Sequence, residues 1–370
     1  MSYHELLGLS RARFERLRPQ FERRTHAGVE YRYLPDYRAG VERGTVLLAG
    51  TVVRGFPKIP RTLVVETGVP RQFEATDEVV VEEKLDGYNV RVAAVDGERY
   101  VFTRGGVVCP FTASKVESLL DLDAFFDDHP RALLCGEMVG PESPYTAHDY
   151  PGVDSLAFRA FDVRDRVTGD PVPVADRRDR CEEYGIPSVP LLGRYDPEDA
   201  ASVRAVVCDL DAREREGIVL KSPDATTLLK YTTSWANRDD LAYAFSLPFD
   251  YGREFVFQRL VREAFQAVEF GDAETDVEAR AHAVGSAILE PMVETVRRVD
   301  AGEWAGERHT VRGTPDEVAA LFAHLRDMGL ELDVRETTEA AGERVVSFEK
   351  RMPSTTDRTR AYLDGTLVTE

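Results

Sequence analysis

Apolar and polar residues change their spacing several times along the chain, and each change marks a new segment. Residues 10–24 have helical spacing, with Ser10 as a candidate N-cap. From Gly44 onward the apolar runs TVLLAGTVVRG and TLVVETGV are punctuated by glycine and proline, which predicts strands. Residues 1–62 are therefore expected to form a small β-rich module.

Between residues 63 and 235, short apolar runs and turn residues predict mainly strands. The dipeptide at 96–97 is Asp-Gly, which is typical of a hairpin turn, and residues 113–127 have a helical pattern. Further strands are predicted in ALLCGEMVG, SLAFRAFDVRD and GIVLKS. Strands that do not alternate with helices indicate an antiparallel α+β domain.

Helical spacing dominates from about residue 236. The stretch REFVFQRLVREAFQAVEF places five apolar residues near one stripe: Phe257, Leu260, Val261, Phe265 and Val268. With the following helix DVEARAHAVGSAILEPMVETVRRV, this stripe is either packed core or a self-association surface. Beyond about residue 303, TPDEVAALFAHLRDMG predicts a capped helix that ends at glycine, and ELDVRETTEA with ERVVSFEKRM predicts a hairpin.

The amino-acid composition limits the classes of protein to which the chain can belong. Hydrophobic residues make up 43% of the 370 and aromatic residues 9%, which is enough for packed cores in two to four domains. No apolar run reaches 18 residues and the first residues lack the apolar centre of a signal peptide, so a cytoplasmic protein without a membrane span is expected. The four cysteines have no CxxC spacing and the histidines are scattered, so we expect buried free thiols and no zinc site.

Charge is strongly acidic, with 66 acidic against 47 basic residues and a net charge of −19. Only six of the basic residues are lysines and 41 are arginines, a balance that suggests adaptation to molar salt. The alternative is an ordinary acidic protein at ordinary salt. In about 1 M salt the Debye length is about 3 Å, so the global negative charge hardly opposes a nucleic-acid ligand. The few lysines should be enriched where arginine, a poor nucleophile, cannot serve.

Lys84 is the candidate nucleophile, in the run Glu-Lys-Leu-Asp-Gly-Tyr-Asn-Val-Arg at 83–91. Lysine attacks phosphorus only as the free amine. Since its ordinary pKa is about 10.4, deprotonation at pH 7 costs about 4–5 kcal/mol. A metal ion, burial, or neighbouring cations such as Lys221 and Lys230 have to lower that pKa. The alternative is a surface lysine in a β-turn.

Five further motifs carry polar residues that could serve a nucleotide. They are Thr-Arg-Gly-Gly with Arg104, Cys-Gly-Glu with Glu137, Phe-Arg-Ala-Phe-Asp with Phe158 and Phe161, Glu-Gly-Ile-Val-Leu-Lys with Glu216 and Lys221, and Leu-Leu-Lys-Tyr with Lys230. Strand alternation places Val219 and Lys221 on one face and Ile218 with Leu220 on the other. Taken singly, each motif also fits a structural role, such as a hairpin end, a surface acid or a core aromatic.

In this order the motifs KLDGYNVR, TRGG, CGEMVG, AFDVRD, EGIVLK and LLKY resemble those of covalent nucleotidyltransferases, the superfamily of polynucleotide ligases and mRNA capping enzymes. With FPKIPR at 56–61 and LKYTT after EGIVLKS, the chain is similar to the archaeal homodimeric ATP-dependent RNA ligases. The resemblance implies an antiparallel-sheet, ATP-grasp-like nucleotidyltransferase domain at 63–235. It also implies a helical dimerisation domain at 236–302, a small α+β domain at 303–370 and an N-terminal module at 1–62.

The resemblance also implies residue roles. Lys84 would carry AMP, Phe161 (or less readily Phe158) would stack on adenine, and Glu137 with Glu216 would bind a divalent metal ion. The implied nucleotide-binding residues are Glu83, Asn89, Arg91, Arg104, Glu137, Phe161, Lys221 and Lys230. One departure is that many ligases have Lys-x-Lys in the last motif, whereas this chain has Lys-Tyr-Thr at 230–232.

The implied activity uses ATP with Mg²⁺ or Mn²⁺. A lysyl-AMP forms, AMP passes to an RNA 5′-phosphate, and an RNA 3′-hydroxyl then expels AMP, within one strand or between two. The implied partners are RNA ends and a second copy of the chain. One rival is a DNA ligase or capping enzyme, but a β-barrel usually follows the last motif in those, whereas helices are predicted here. The other rival is an RNA-binding protein without catalysis.

Overall fold

Four antiparallel sheets organise the chain in a computed structural model that describes residues 2–340 and 342–367. The strands are β1 Glu22–His26, β2 Val29–Tyr33, β3 Val46–Leu48, β4 Thr51–Val53, β5 Val79–Lys84, β6 Tyr88–Val95, β7 Glu98–Thr103, β8 Ala132–Val139, β9 Ala157–Asp165, β10 Leu191–Tyr195, β11 Gly217–Lys221, β12 Leu228–Thr232, β13 Gly306–Gly313, β14 Glu331–Ala340 and β15 Glu343–Arg351.

The helices cover these sheets or extend from them. They are α1 Tyr3–Leu6, α2 Arg11–Leu17, α3 Val65–Gln72, α4 Pro110–Leu119, α5 Asp123–Asp128, α6 Val174–Glu183, α7 Ala200–Ala212, α8 Ser234–Ser246, α9 Arg253–Phe270, α10 Glu274–Asp300, α11 Pro315–Asp327 and α12 Pro353–Leu363. Within the described residues, no helix combines the length and the apolar character needed to cross a membrane.

Two central sheets lie on either side of the cleft that carries the predicted motifs. The Lys84 sheet has the strand order β10-β5-β11-β12, and the Glu137 sheet has the order β7-β6-β8-β9. All strand pairs within them are antiparallel, which confirms the predicted α+β class. The N-terminal sheet (β1-β2-β3-β4) and the C-terminal sheet (β13-β15-β14) pack outside this pair.

Several sequence predictions need correction. The segment TLVVETGV, predicted as a strand, contains the start of α3, whose Val65 and Val69 lie one turn apart in the core. A distant carboxylate, that of Glu269, accepts hydrogen bonds from the first amides of this helix. The predicted helix at 10–24 ends at Leu17 and continues as a 3-10 turn that contains proline, although Ser10 does cap it.

Other predictions agree with the structure in outline. The predicted helix at 113–127 is two helices, α4 and α5, because Leu120 leaves the helical conformation. The Asp96–Gly97 turn joins β6 to β7, and the capping box of Thr314 and Glu317 begins α11 as predicted. Three of the cysteines are buried free thiols, whereas Cys208 is exposed on α7.

The C-terminal unit shares a hydrophobic core with the Glu137 sheet. Phe322 of α11 and Phe348 of β15 belong to the same buried cluster as Val90 of β6 and Phe158 of β9. Polar contacts reinforce this junction, since Arg312 binds the Glu142 carboxylate through two guanidinium nitrogens. The C-terminal unit is therefore fixed against the sheet that forms one wall of the cleft.

Helices α9 and α10 leave much of the predicted stripe in solvent. The side chains of Phe257, Phe265 and Val268 are 62%, 45% and 82% exposed, and Leu289 of α10 is 61% exposed. Of the two alternatives for this stripe, packed core within one chain is therefore excluded for these positions. Exposed apolar surface of this kind is typical of interaction sites.

Candidate active site

Lys84 is the last residue of β5, and its amine lies in the cleft between the two central sheets. The strand register places Lys84 opposite Gly217 of β11, and the cleft forms a cavity of about 390 Å³. Both sheets contribute lining residues. They include Phe56, Glu82, Glu83, Lys84, Asp86, Asn89, Arg104, Glu137, Phe161, Glu216, Lys221 and Lys230. Three of the six lysines thus converge on one cavity.

The amine of Lys84 donates a hydrogen bond to the Glu216 carboxylate. Burial alone would lower the pKa of Lys84, but the charge of Glu216, with smaller contributions from Glu137 and Asp86, raises it. The expectation that neighbouring cations lower this pKa is therefore wrong for the site without nucleotide. In this state Lys84 is an ion-paired ammonium, and an ammonium has no free electron pair with which to attack phosphorus.

Lys221 is held by contacts of its own. It is 3% exposed, lies 3.0 Å from the Glu82 carboxylate and also donates to the backbone carbonyl of Phe161. Glu82 is further bound by Arg177, so its pKa is lowered despite complete burial. Lys221 therefore anchors the cavity wall that contains Phe161, and its charge is largely balanced.

Lys230 is the cavity lysine whose protonation is most sensitive to its surroundings. Strand β12 places it opposite Val219, on the cleft face as predicted from the alternation. Burial, followed by the nearby charges of Arg61, Lys84 and Arg104, lowers the pKa of Lys230 to about 7. Among the described residues no carboxylate lies within 4.0 Å of its amine. An anionic group such as phosphate would restore its full positive charge.

The pKa values of two buried carboxylates are displaced in the opposite direction, upward. Burial raises the pKa of Glu137 to about 8 and that of Glu216 to about 6, although Lys84 acts to lower both. One oxygen of Glu216 and the side-chain oxygen of Asn89 are buried without a hydrogen-bond partner in the described part of the chain. Unpaired buried oxygens contributed from the two sheets that border the cavity fit a hard divalent cation such as Mg²⁺ or Mn²⁺.

Phe161 is the aromatic residue that reaches the cavity, whereas Phe158 does not. The Phe161 ring meets the Phe56 ring edge to face, with 5.1 Å between the centroids, and one face of the cavity is therefore apolar. Phe158 is 1% exposed and packs against Gly136 in the core on the other side of the sheet. Because side chains alternate along β9, Phe161 faces the cavity and Phe158 faces the core.

Arg91 has a position that differs from the one expected, whereas Glu83 lines the cavity. Arg91 is fully buried and lies outside the cavity, where it donates to the backbone carbonyls of Gly44 and Thr103. It therefore ties two loops together and does not contact a phosphate directly. The Glu83 carboxylate is 3.9 Å from the Arg215 guanidinium, and on β5 it alternates with Glu82 and Lys84. Arg104 lies exposed at the rim.

Two residues at the site, Glu82 and His148, were missed by the sequence analysis. Glu82 neighbours the motif lysine and shares its face by strand alternation, which could have identified it. His148 could not have been found, because it lies in a loop far along the chain, with its ring 3.0 Å from the Asp86 carboxylate. Together with Asp239 of α8, these side chains place three possible ligand atoms within 4.8 Å of one another beside the cavity.

Family models match two parts of the chain. Residues 77–232 match the model described as RNA ligase, and residues 243–366 match the model described as ligase Pab1020 C-terminal region. An uncharacterised protein of Methanocaldococcus jannaschii is 37% identical over 342 residues, which cover 89% of this chain and 86% of that protein. The first match contains every predicted motif from Lys84 to Lys230.

Solved structures are similar over nearly the whole length. Two structures described as archaeal ATP-dependent RNA ligase, forms 1 and 2, are 39% identical, with a TM-score of 0.92 and coverage of 99% of this chain and 98% of theirs. A chain from Aquifex aeolicus, described as a candidate ATP-dependent DNA ligase, is 24% identical with a TM-score of 0.89, and covers 97% of this chain. At 24% identity, the similarity to the Aquifex aeolicus chain concerns the fold alone.

Proposed function

Because this chain belongs to the family of archaeal ATP-dependent RNA ligases, we propose that it joins RNA 5′-phosphate and 3′-hydroxyl ends through an adenylate on Lys84. The observation that carries this proposal is the position of one lysine amine. It lies inside a cavity lined by Glu137, Glu216 and Lys230, and not in open solvent. The ends can belong to one strand, which gives a circle, or to two strands.

In the first step the Lys84 amine attacks the α-phosphorus of ATP. The new P–N bond forms as the P–O bond to pyrophosphate breaks, and the ammonium must lose its proton beforehand. Glu216 is in hydrogen-bond contact with that proton, and its pKa of about 6 allows it to pass the proton on to solvent. Lys230, at the cleft face of β12, is placed to neutralise the leaving pyrophosphate.

A divalent cation held by Glu137, Glu216 and Asn89 would supply charge neutralisation for the phosphates. The protein's own residues define the rest of the site. Phe161 and Phe56 provide the apolar surface on which adenine can stack. Arg104 at the rim would contact the ribose or phosphate side, and Lys221 holds the backbone of β9 at Phe161 through its hydrogen bond to that carbonyl.

The second and third steps transfer the adenylate to RNA and join the ends. An oxygen of the RNA 5′-phosphate attacks the lysyl-AMP phosphorus, the P–N bond breaks and the amine is regenerated. The 3′-hydroxyl oxygen then attacks the activated 5′-phosphate and AMP leaves. The same cations that neutralise pyrophosphate in the first step can neutralise the RNA phosphate in these steps.

Lys84→Arg tests the assignment directly. The side chain keeps its charge but loses its nucleophilic amine, so labelling of the protein with α-³²P-ATP should fall below detection. Lys115→Arg is the matched control, because Lys115 forms ion pairs with Glu317 and Glu343 away from the cavity. Undiminished labelling of Lys84→Arg would defeat the proposal. Sealing of nicked DNA alone, or labelling by GTP alone, would favour a DNA ligase or capping enzyme.

We further propose that two copies associate through α9 and α10. The exposed apolar side chains of Phe257, Phe265, Val268 and Leu289 would be covered by the second copy. Light scattering in molar salt should then give twice the chain mass of 41.4 kDa. Replacement of Val268 by Asp should reduce the mass to that of one chain, while Val334→Asp, at an exposed position of β14, should not. A single-chain mass for the unaltered protein would disprove the association.

A further inference from the structure

Charge is divided unevenly between the N-terminal segment and the remainder of the chain. Residues 1–62 contain twelve lysine and arginine residues against six acidic residues, whereas residues 63–370 contain 35 against 60. The first segment is therefore basic in a protein whose net charge is −19. A basic segment in an acidic chain indicates a ligand with negative charge at that place.

Seven of the eleven arginines of this segment are exposed, and several of these have no acidic partner. Within the described part of the chain, Arg11, Arg16, Arg38 and Arg43 are exposed and have no carboxylate within 4.0 Å. By contrast, Arg54 is bound to Glu42 and to the carbonyl of Leu7. Unpaired arginines can form new charge-assisted hydrogen bonds to phosphate without first breaking an ion pair.

One of these arginines, Arg43, lies beside the turn that carries Arg104 at the rim of the cavity. Gly44 packs against the backbone of Arg104 so closely that a side-chain Cβ at Gly44 would lie 2.2 Å from the Arg104 carbonyl oxygen. Arg43 precedes Gly44, and its guanidinium lies next to Gly105. Arg91 fixes this junction, since one of its nitrogens donates to the carbonyls of Gly44 and Thr103 at 2.8 and 3.2 Å.

An aromatic side chain interrupts the arginines further from the cavity. Tyr37 is 66% exposed at the tip of a loop that also carries Arg38. The loop is held in shape by Arg13, which donates to the Ala39 carbonyl at 2.8 Å, and by the backbone pairing of Arg38 with Val41. Arginines interleaved with an exposed aromatic ring are typical of surfaces that bind single-stranded nucleic acid.

We propose that these side chains, here called the basic face (Arg13, Tyr37, Arg38, Arg43 and Arg104), bind the single strand of RNA that adjoins the reacting end. The arginines contact successive phosphates, and Tyr37 stacks on a base. The inference rests on the proposed ligase function for the identity of the RNA. At molar salt long-range attraction is screened, so contacts of this short-range kind carry the binding.

The test compares two double variants for binding to a labelled, 5′-phosphorylated single-stranded RNA by fluorescence anisotropy between 0.1 and 1 M KCl. Arg38→Gln with Arg43→Gln should weaken binding about tenfold at low salt. It should also reduce the slope of log K against log salt by about 0.7 per lost phosphate contact. Arg71→Gln with Arg194→Gln removes two exposed arginines outside the segment, and should leave affinity and slope unchanged.

Two further readouts separate the possible results. Tyr37→Leu should weaken binding without changing the salt slope, since stacking releases no counterions. Labelling by α-³²P-ATP should be unchanged in every variant. Equal losses in the two double variants, or no loss in the first, would overturn the basic face. Failure of the unaltered protein to be labelled would instead contradict the proposed ligase function, whatever the RNA result.

Discussion

Two regions of the molecule bury carboxylates, and they treat them in opposite ways. In the cavity around Lys84, Glu82 is paired with Lys221 and Arg177, but at Glu137 and Glu216 burial dominates and their pKa values rise to about 8 and about 6. At the junction with the C-terminal sheet, Glu307 is held by His309 and Lys350, which outweigh burial and lower its pKa to about 2. Glu349, fully buried, is bound by Arg298 and Arg335, and its pKa is lowered as well.

The difference distinguishes a binding site from a structural network. Carboxylates that are paired by the fold stabilise it when ionised, and need no ligand. Carboxylates that are left short of partners are destabilised when ionised, and that free energy is recovered when a cation or a charged substrate binds. The cavity therefore keeps carboxylates available to bind a cation or a charged substrate, whereas the carboxylates of the C-terminal junction make the fold rigid.

Glu216→Gln should show the largest effect, on catalysis. The variant loses the negative charge that contacts Lys84 and the proposed cation, so the rate of labelling with ATP should fall at least about 100-fold. Its free energy of unfolding should change little, because the loss of the ion pair with Lys84 opposes the gain from removing an unfavourable buried charge. Glu214→Gln, two residues earlier and exposed, is the control. A destabilised variant with normal labelling would assign Glu216 to the structural group.

Glu349→Gln should show the reverse pattern. Removing its charge leaves Arg298 and Arg335 with a weaker partner, so the free energy of unfolding should fall by about 2 kcal/mol. ATP labelling at a temperature where the variant is folded should be unchanged. Chemical denaturation measures the first quantity, with Glu336→Gln on the exposed β14 as the control. Normal stability of Glu349→Gln would remove the contrast between the two regions.

The pH dependence of stability should show the smallest effect. Because the folded pKa of Glu137 (about 8) lies above its unfolded value (about 4.3), the folded state binds more protons between these pH values. The unfolding free energy should therefore fall as pH rises from about 5 to about 8. Glu137→Gln should flatten this fall by at least about 1 kcal/mol in the absence of nucleotide and divalent cations.

Denaturation at pH 5.5 and at pH 8, at constant salt, checks this expectation. The exposed Glu117→Gln serves as the control for removal of a charge. Parallel pH profiles of the unaltered protein and Glu137→Gln would show that Glu137 is already paired in the resting site. In that case the cavity and the junction would not differ in the way described above.

Much of the fold was predictable because its signals are local. The alternation of β5 and β11 predicts which face carries Lys84 and Lys221, and the antiparallel pairing of β12 follows from the short connection. The turn at Asp96–Gly97 and the capping box that begins α11 are each formed by residues only a few positions apart. Such features need no knowledge of the tertiary structure.

The errors have causes that are distant in the sequence. The start of α3 is rich in β-branched residues, but its first amides are bound by Glu269 of α9, about two hundred residues away. Arg91 lies within a motif, yet its donors are used by backbone carbonyls of two loops. The resting charge of Lys84 depends on Glu216, and no local pattern states how close the two side chains are.

The core that joins the C-terminal unit to the Glu137 sheet limits how the enzyme can move during turnover. Swinging that unit aside would expose Phe322 and Phe348 to water, at a cost of about 1.5–3 kcal/mol for each fully exposed ring. We therefore expect opening and closing around substrates to fall to side chains, such as the exposed side chain of Arg104. Adenylation and sealing would then proceed on one nearly constant scaffold, with the RNA end changing position instead of the domains.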